Sequence, residues 1–63
     1  MSERFIASFF CREYQTHAQA FIEEAHPSGF RHLVVRYADR PEFATAIPND
    51  WSDKDVHDVL LGP

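Results

Sequence analysis

The sequence predicts an α+β domain with the order β-α-β-β-α, a three-stranded sheet carrying two helices packed on one face. Three observations point there. Phe30–Tyr37 centres on Leu33-Val34-Val35, an aliphatic run with two β-branched members that suits a packed, pleated surface. Ala18, Phe21, Ile22 and Ala25 recur at i, i+3, i+4 and i+7, which makes one stripe of an α-helix. Trp51-Ser52 followed by Asp55 and Val56 reads as the capped start of a second helix.

Taken in order, Glu3 to Cys11 alternates as a strand. Phe5, Ala7, Phe9 and Cys11 fall on one side, with Ile6, Ser8 and Phe10 on the other. Neither side is polar, so both should be covered or lie in an interface. Arg12–Gln15 is a connector. Thr16 and Gln19 have capping-box spacing at the head of the first predicted helix, which His26-Pro27-Ser28-Gly29 ends. The Phe30–Tyr37 strand follows, with apolar side chains pointing both ways and Arg31, His32 and Arg36 among them. Glu42–Ile47 is a shorter strand bracketed by Pro41 and Pro48, which places it at an edge.

In the last helix Ser52 is the N-cap, Asp55 the N3 partner, and Trp51 with Val56 a hydrophobic staple. Val56, Val59 and Leu60 form its expected buried stripe, and Gly62-Pro63 stops it, which suits the end of a complete domain. Right-handed crossover geometry then puts the first strand parallel to the second or beside the third, both helices on one face and the other face open. If Phe5, Phe9, Leu33, Val35, Phe43 and Ile47 meet the helices, the open face carries Ile6, Phe10, His32, Val34 and Arg36. A one-residue change of register reverses this assignment.

Composition bounds the function. The 63 residues read as one domain, 1–63, near the size at which a single core holds without disulfides or metal. Six phenylalanines supply much of the burial available to it. One cysteine, no signal-peptide pattern and no apolar run of spanning length predict a soluble, cytoplasmic protein. The net charge of −4 is uneven. Arg31, Arg36 and Arg40 oppose only Asp39 in the middle, whereas Glu42, Asp50, Asp53, Asp55 and Asp58 oppose only Lys54 at the end. With a single lysine and an acidic balance, direct duplex DNA binding is not expected.

No catalytic or metal pattern emerges. Cys11 reads as a small buried hydrophobe at a strand end, without a Cys-His or Cys-x-x-Cys partner. His17, His26, His32 and His57 include no His-x-x-x-His pair, so neither metal nor cofactor is expected. His57, four residues after Asp53, reads as half of a helix-surface pair. His32 between Arg31 and Arg36 is the one arrangement with the elements of a phosphate-handling site, a base flanked by cations.

A helix, a Gly-Phe turn, a histidine-bearing hairpin and a final helix together resemble, in outline, the HicA-type toxin ribonucleases. The Gly-Ser-His motif of that family is absent, the surface is acidic, and a strand precedes the first helix. Phe10, His32 and Arg36 on an open sheet would suit base stacking, but RNP patterns are missing.

The reading the residues favour is a small, non-enzymatic regulator or inhibitor that docks on another protein bearing a basic, nucleic-acid-binding surface. Phage- and plasmid-encoded accessory proteins, anti-CRISPR-type inhibitors among them, share this profile. The binding residues would be Asp50, Asp53, Asp55 and Asp58 on the acidic helix, with Phe10, His32 and Arg36 on the open face. Two alternatives stand beside it: an RNA-binding or ribonuclease module using His32 with Arg31 and Arg36, and a structural homodimer.

Overall fold

The computed structural model describes residues 3–24 and 26–62. It contains β1 (Glu3–Cys11), β2 (Thr16–Glu23), β3 (His32–Tyr37), β4 (Phe43–Ala46) and α1 (Asp53–Leu61). The strands form one antiparallel sheet in the order β1-β2-β3-β4. Four strands and one short helix replace the expected three strands and two helices. The crossover topology falls with them, because every sheet neighbour is also a chain neighbour.

The difference lies in residues 16–23. The helical stripe shares this segment with a period of two: Thr16, Ala18, Ala20 and Ile22 are all buried on one face. Tertiary pairing chose the second pattern. A four-residue turn over 12–15, closed by Gln15 Nε2 donating to the Arg12 carbonyl at 2.9 Å, returns the chain directly along β1. Gln15 takes the left-handed conformation there, φ 56°. With β1 paired on one edge from Glu3↔Glu23 to Cys11↔Thr16 and β3 paired on the other, the segment's backbone groups have ladder partners on both sides, and a helix of about ten residues, marginal by itself, does not compete. Ala25 and Pro63, included in the expected first stripe and final helix stop, lie outside the described residues.

One buried layer sits between the sheet and α1. It joins Ala18, Ala20 and Ile22 of β2, Leu33 and Val35 of β3, Ile47, and Val56 of the helix. Ile6, Phe9, Cys11, Tyr37, Trp51 and Leu60 pack around it half-buried. The helix approaches the sheet most closely at β1. The helix start is as expected: Asp55 N–H donates to Ser52 Oγ at 3.2 Å, and Ser52 N–H donates to Asp55 Oδ2 at 2.9 Å. At the other end Gly62, at φ 85°, donates to the Asp58 carbonyl at 2.8 Å. Of the expected stripe Val56 is buried and Leu60 partly so, but Val59 is 63% exposed. A nine-residue helix crossing one layer has room for only a narrow seam.

The facing departs from expectation in two places: Phe5 and Ile6 are exchanged, and Phe43, expected against the helices, shares their side by its register with Val35 but is 53% exposed at the sheet edge. Leu33, Val35, Phe9 and Ile47 belong to the helix side, while Phe10, His32, Val34 and Arg36 share the opposite side. Phe5 and Ile6 are exchanged, because β1 bulges between Phe5 and Ala7. The extra residue turns Phe5 to the open face, where its ring meets Phe21 edge-on at 5.7 Å, and sends Ile6 to the core. β4 occupies an edge of the sheet, as its flanking prolines require.

Ile22→Ala should cost about 2–5 kcal/mol, and Ser52→Ala about 1 kcal/mol, both read from urea unfolding. Val59→Ala should stay within about 0.5 kcal/mol of the parent. A cost at Val59 equal to that at Ile22 would contradict the seating of the helix.

Candidate functional site

The open face is built in rows by the strand register. One row runs Glu3, Glu23, His32 across β1, β2 and β3, and the next runs Phe5, Phe21, Val34, Ala44 across all four strands. Further along, Ser8, Gln19 and Arg36 make a polar row, and Phe10 lies beside His17 with their rings edge to face at 5.3 Å.

Arg36 straps these rows together. Its guanidinium lies 4.8 Å over the Phe21 ring, donates to Glu3 at 2.7 Å and donates to Glu42 at 3.3 Å. Hydrogen bonds to Glu3 first and Glu42 second raise its pKa further above the ordinary arginine value, so it stays charged at any working pH. The pairs are solvent-accessible and contribute mainly orientation.

At the end of the face nearest the 26–30 loop is a shallow hollow of about 380 Å³. Its walls hold Glu3, Glu23, Glu42, His26 and His32, and its floor includes Val34 and Ala44. Val34 is only 3% exposed although it belongs to the open face. Glu23 is 8% exposed, and its carboxylate has no hydrogen bond among the described residues; its near neighbour is His26 Nε2 at 3.9 Å.

The loop explains that geometry. The Ser28 amide donates to His26 Nδ1 at 3.1 Å, so a neutral His26 carries its proton on Nε2, toward Glu23. Gly29, at φ 85°, closes the same turn by donating to the His26 carbonyl at 3.0 Å. The His26 ring stacks on His32 at 3.7 Å, and His32 Nδ1 donates to the Phe30 carbonyl at 3.2 Å. Two histidines are therefore held in fixed positions beside the Glu23 carboxylate.

The structure separates the residues singled out from sequence into two groups. Phe10, His32 and Arg36 share the open face. The acidic residues lie with α1 on the other side of the sheet, and three of them have partners within the chain. Asp53 accepts from Arg4 at 2.6 Å, Asp55 serves the capping box, and Asp58 accepts from Lys54 at 2.9 Å. Asp50 is exposed in the turn before the helix. Arg31 is drawn away from His32: it donates to the Trp51 carbonyl, while its amide donates to Asn49 Oδ1 at 3.3 Å. It thus tethers the loop that leads into α1. Its Nε is buried without a hydrogen-bond partner.

Cys11 sits half-buried at the end of β1 against the core. Among the described residues no three His, Cys, Asp or Glu side chains converge as a metal site, and no helix is long and apolar enough to cross a membrane.

Sequence reasoning missed Glu3, Glu23, Glu42 and His26 as a group. A hairpin folded about the 12–15 turn brings Glu3 opposite Glu23, but assigning residue 23 to the outside of a helix hid that. No known protein family, curated protein or solved structure matches the chain.

Replacing Arg36 with Gln leaves Glu3 and Glu42 facing one another without their shared cation. The thermal midpoint should fall in low salt, and the deficit should shrink near 1 M NaCl, where screening acts within about 3 Å. Calorimetry at the two salt concentrations checks this.

Proposed function

We propose that the protein is a non-enzymatic binding module whose open sheet face docks a basic segment of a protein partner, with a Lys or Arg side chain entering the glutamate-lined hollow. The observation that carries this is a hollow lined by three carboxylates, Glu3, Glu23 and Glu42, in which Glu23 has a largely covered side chain, carboxylate oxygens that still reach solvent, and no cation of its own nearer than His26. Three carboxylates lining one hollow favour a cation that reaches them together through charge-assisted hydrogen bonds. The apolar floor of Val34 and Ala44 suits the methylene stem of a long cationic side chain. The exposed Phe5 ring borders the same rows and supplies apolar contact next to the charge.

This reading keeps a protein partner with a basic surface, of the kind nucleic-acid-binding proteins carry, but moves the contact from the acidic helix to the sheet. Asp53, Asp55 and Asp58 already have partners, so a docking protein would have to displace Arg4, unmake a cap or compete with Lys54. Direct RNA binding through Arg36 faces a similar obstacle, because Glu3 and Glu42 hold that guanidinium and would repel a phosphate.

Titrating the ¹⁵N-labelled chain with a short peptide of alternating Arg and apolar residues tests the reading. Shift changes should concentrate on Glu3, Glu23, His32, Val34 and Ala44. Glu23→Gln should weaken binding about tenfold or more, the scale of a hydrogen bond to a charged group. Arg36→Gln should strengthen it, because it frees Glu3 and Glu42. Changes centred on α1, or equal affinity of the Glu23→Gln variant, would overturn it.

A further inference from the structure

The two edges of the sheet are not alike. β4 is four residues long and lies between Pro41 and Pro48, so it offers little to an incoming strand. β1 is nine residues long, with neither proline nor lysine, and its outer edge is unpaired among the described residues. Its bulge lies near one end, and Ala7 to Cys11 pairs regularly with β2 beyond it.

Apolar surface gathers at this edge. On the open face Phe5 and Phe10 are 53% and 50% exposed. Around the Cys11 end a hollow of about 460 Å³ is lined by Phe9, Phe10, Cys11, Arg12, Leu60 and Leu61. A long, apolar, unpaired edge strand is a template for pairing with another strand.

We propose that β1 pairs antiparallel with β1 of a second copy of this chain, joining two four-stranded sheets into one of eight strands about a two-fold axis. The register follows from the side chains. Placing the axis between the two Ser8 residues, and leaving Ile6 unpaired as it is against β2, sets Ala7 opposite Phe9 and Phe5 opposite Phe10 of the other copy. Glu3 then falls opposite Arg12. Each contact occurs twice, as an isologous interface demands.

Every pairing joins residues of the same face: Ser8, Phe5 and Phe10 on the open side, Ala7 and Phe9 on the helix side. A slip of one residue would set open-face residues against helix-face ones. The contacts are also complementary in kind. Small faces large at Ala7 and Phe9, aromatic faces aromatic at Phe5 and Phe10, and the charges at the two ends are opposite. Arg12 has no ion pair among the described residues, and Glu3, which already accepts from Arg36 through Oε2, has a second carboxylate oxygen to offer it.

Sedimentation equilibrium of the 63-residue chain should show a concentration-dependent dimer at twice the 7.3 kDa protomer mass. Arg12→Glu lies in the exposed turn and should weaken the dimer about tenfold through its two symmetric contacts. Glu3→Arg should do the same, and combining both changes should restore the dimer. Ser8→Cys in a Cys11→Ser background should form an intermolecular disulfide under mild oxidation, whereas Asp50→Cys in that background should not. A strictly monomeric chain would overturn the inference, as would a dimer indifferent to Arg12→Glu or one that cross-links through position 50 instead of position 8. Glu3 belongs to both surfaces, so the two readings are told apart by Glu23→Gln, which lies in the hollow and away from the β1 edge, and Arg12→Glu, which lies at that edge and outside the hollow.

Discussion

The fold depends on one apolar layer, in which Val56 of the single helix meets Ala18, Ala20 and Ile22 of β2 with Leu33, Val35 and Ile47 beside them. A four-stranded meander has two faces, and the described residues contain one helix with which to cover them. The helix lies closest to β1, and Val56, fully buried, reaches the apolar layer from there. The capping box at Ser52 and Asp55 and the Arg31 tether to the Trp51 carbonyl set where that helix begins. Cap, tether and helix seam act together on one contact.

With the helix committed to one face, the other must remain compatible with water while still containing Phe5, Phe21 and Val34. Arg36 reconciles these demands. Its long side chain lies over Phe21 and ends between Glu3 and Glu42, placing charge at the surface of an apolar row. The same strap leaves Glu23 beneath the surface beside the stacked pair His26 and His32. The candidate site is thus a consequence of how the uncovered face is made tolerable, and its acidic character differs in origin from the acidity of α1, which serves the cap, one ion pair within the helix and one with Arg4 of β1.

Much of the structure was legible in local patterns. β1, the Phe30–Tyr37 strand core, the edge position of the proline-bracketed strand and the capped start of α1 each rest on short-range chemistry: alternation, β-branching, missing amide donors and cap hydrogen bonds. Residues 16–23 were not legible in this way. Ala18 and Ile22 satisfy a period of two and a helical stripe together, alanine favours helix when nothing competes, and only pairing with β1 and β3 decides. Phe5 and Ile6 also escaped local reasoning, since a bulge that exchanges them arises from the fit between strands.

The sequence by itself determined that this is a small acidic α+β chain with a hydrophobic β1, a β-branched central strand and a capped C-terminal helix. Only the tertiary structure decided that Glu3, Glu23 and Glu42 share a hollow, that Arg31 and His32 part company, and that β1 is left as a long open edge. The physical reason is the same each time. Alternation and capping act over a few residues and are written in the chain, whereas which residues face one another across strands depends on contacts between segments some twenty residues or more apart, such as Glu3 with Glu23 and Arg36 with Glu3.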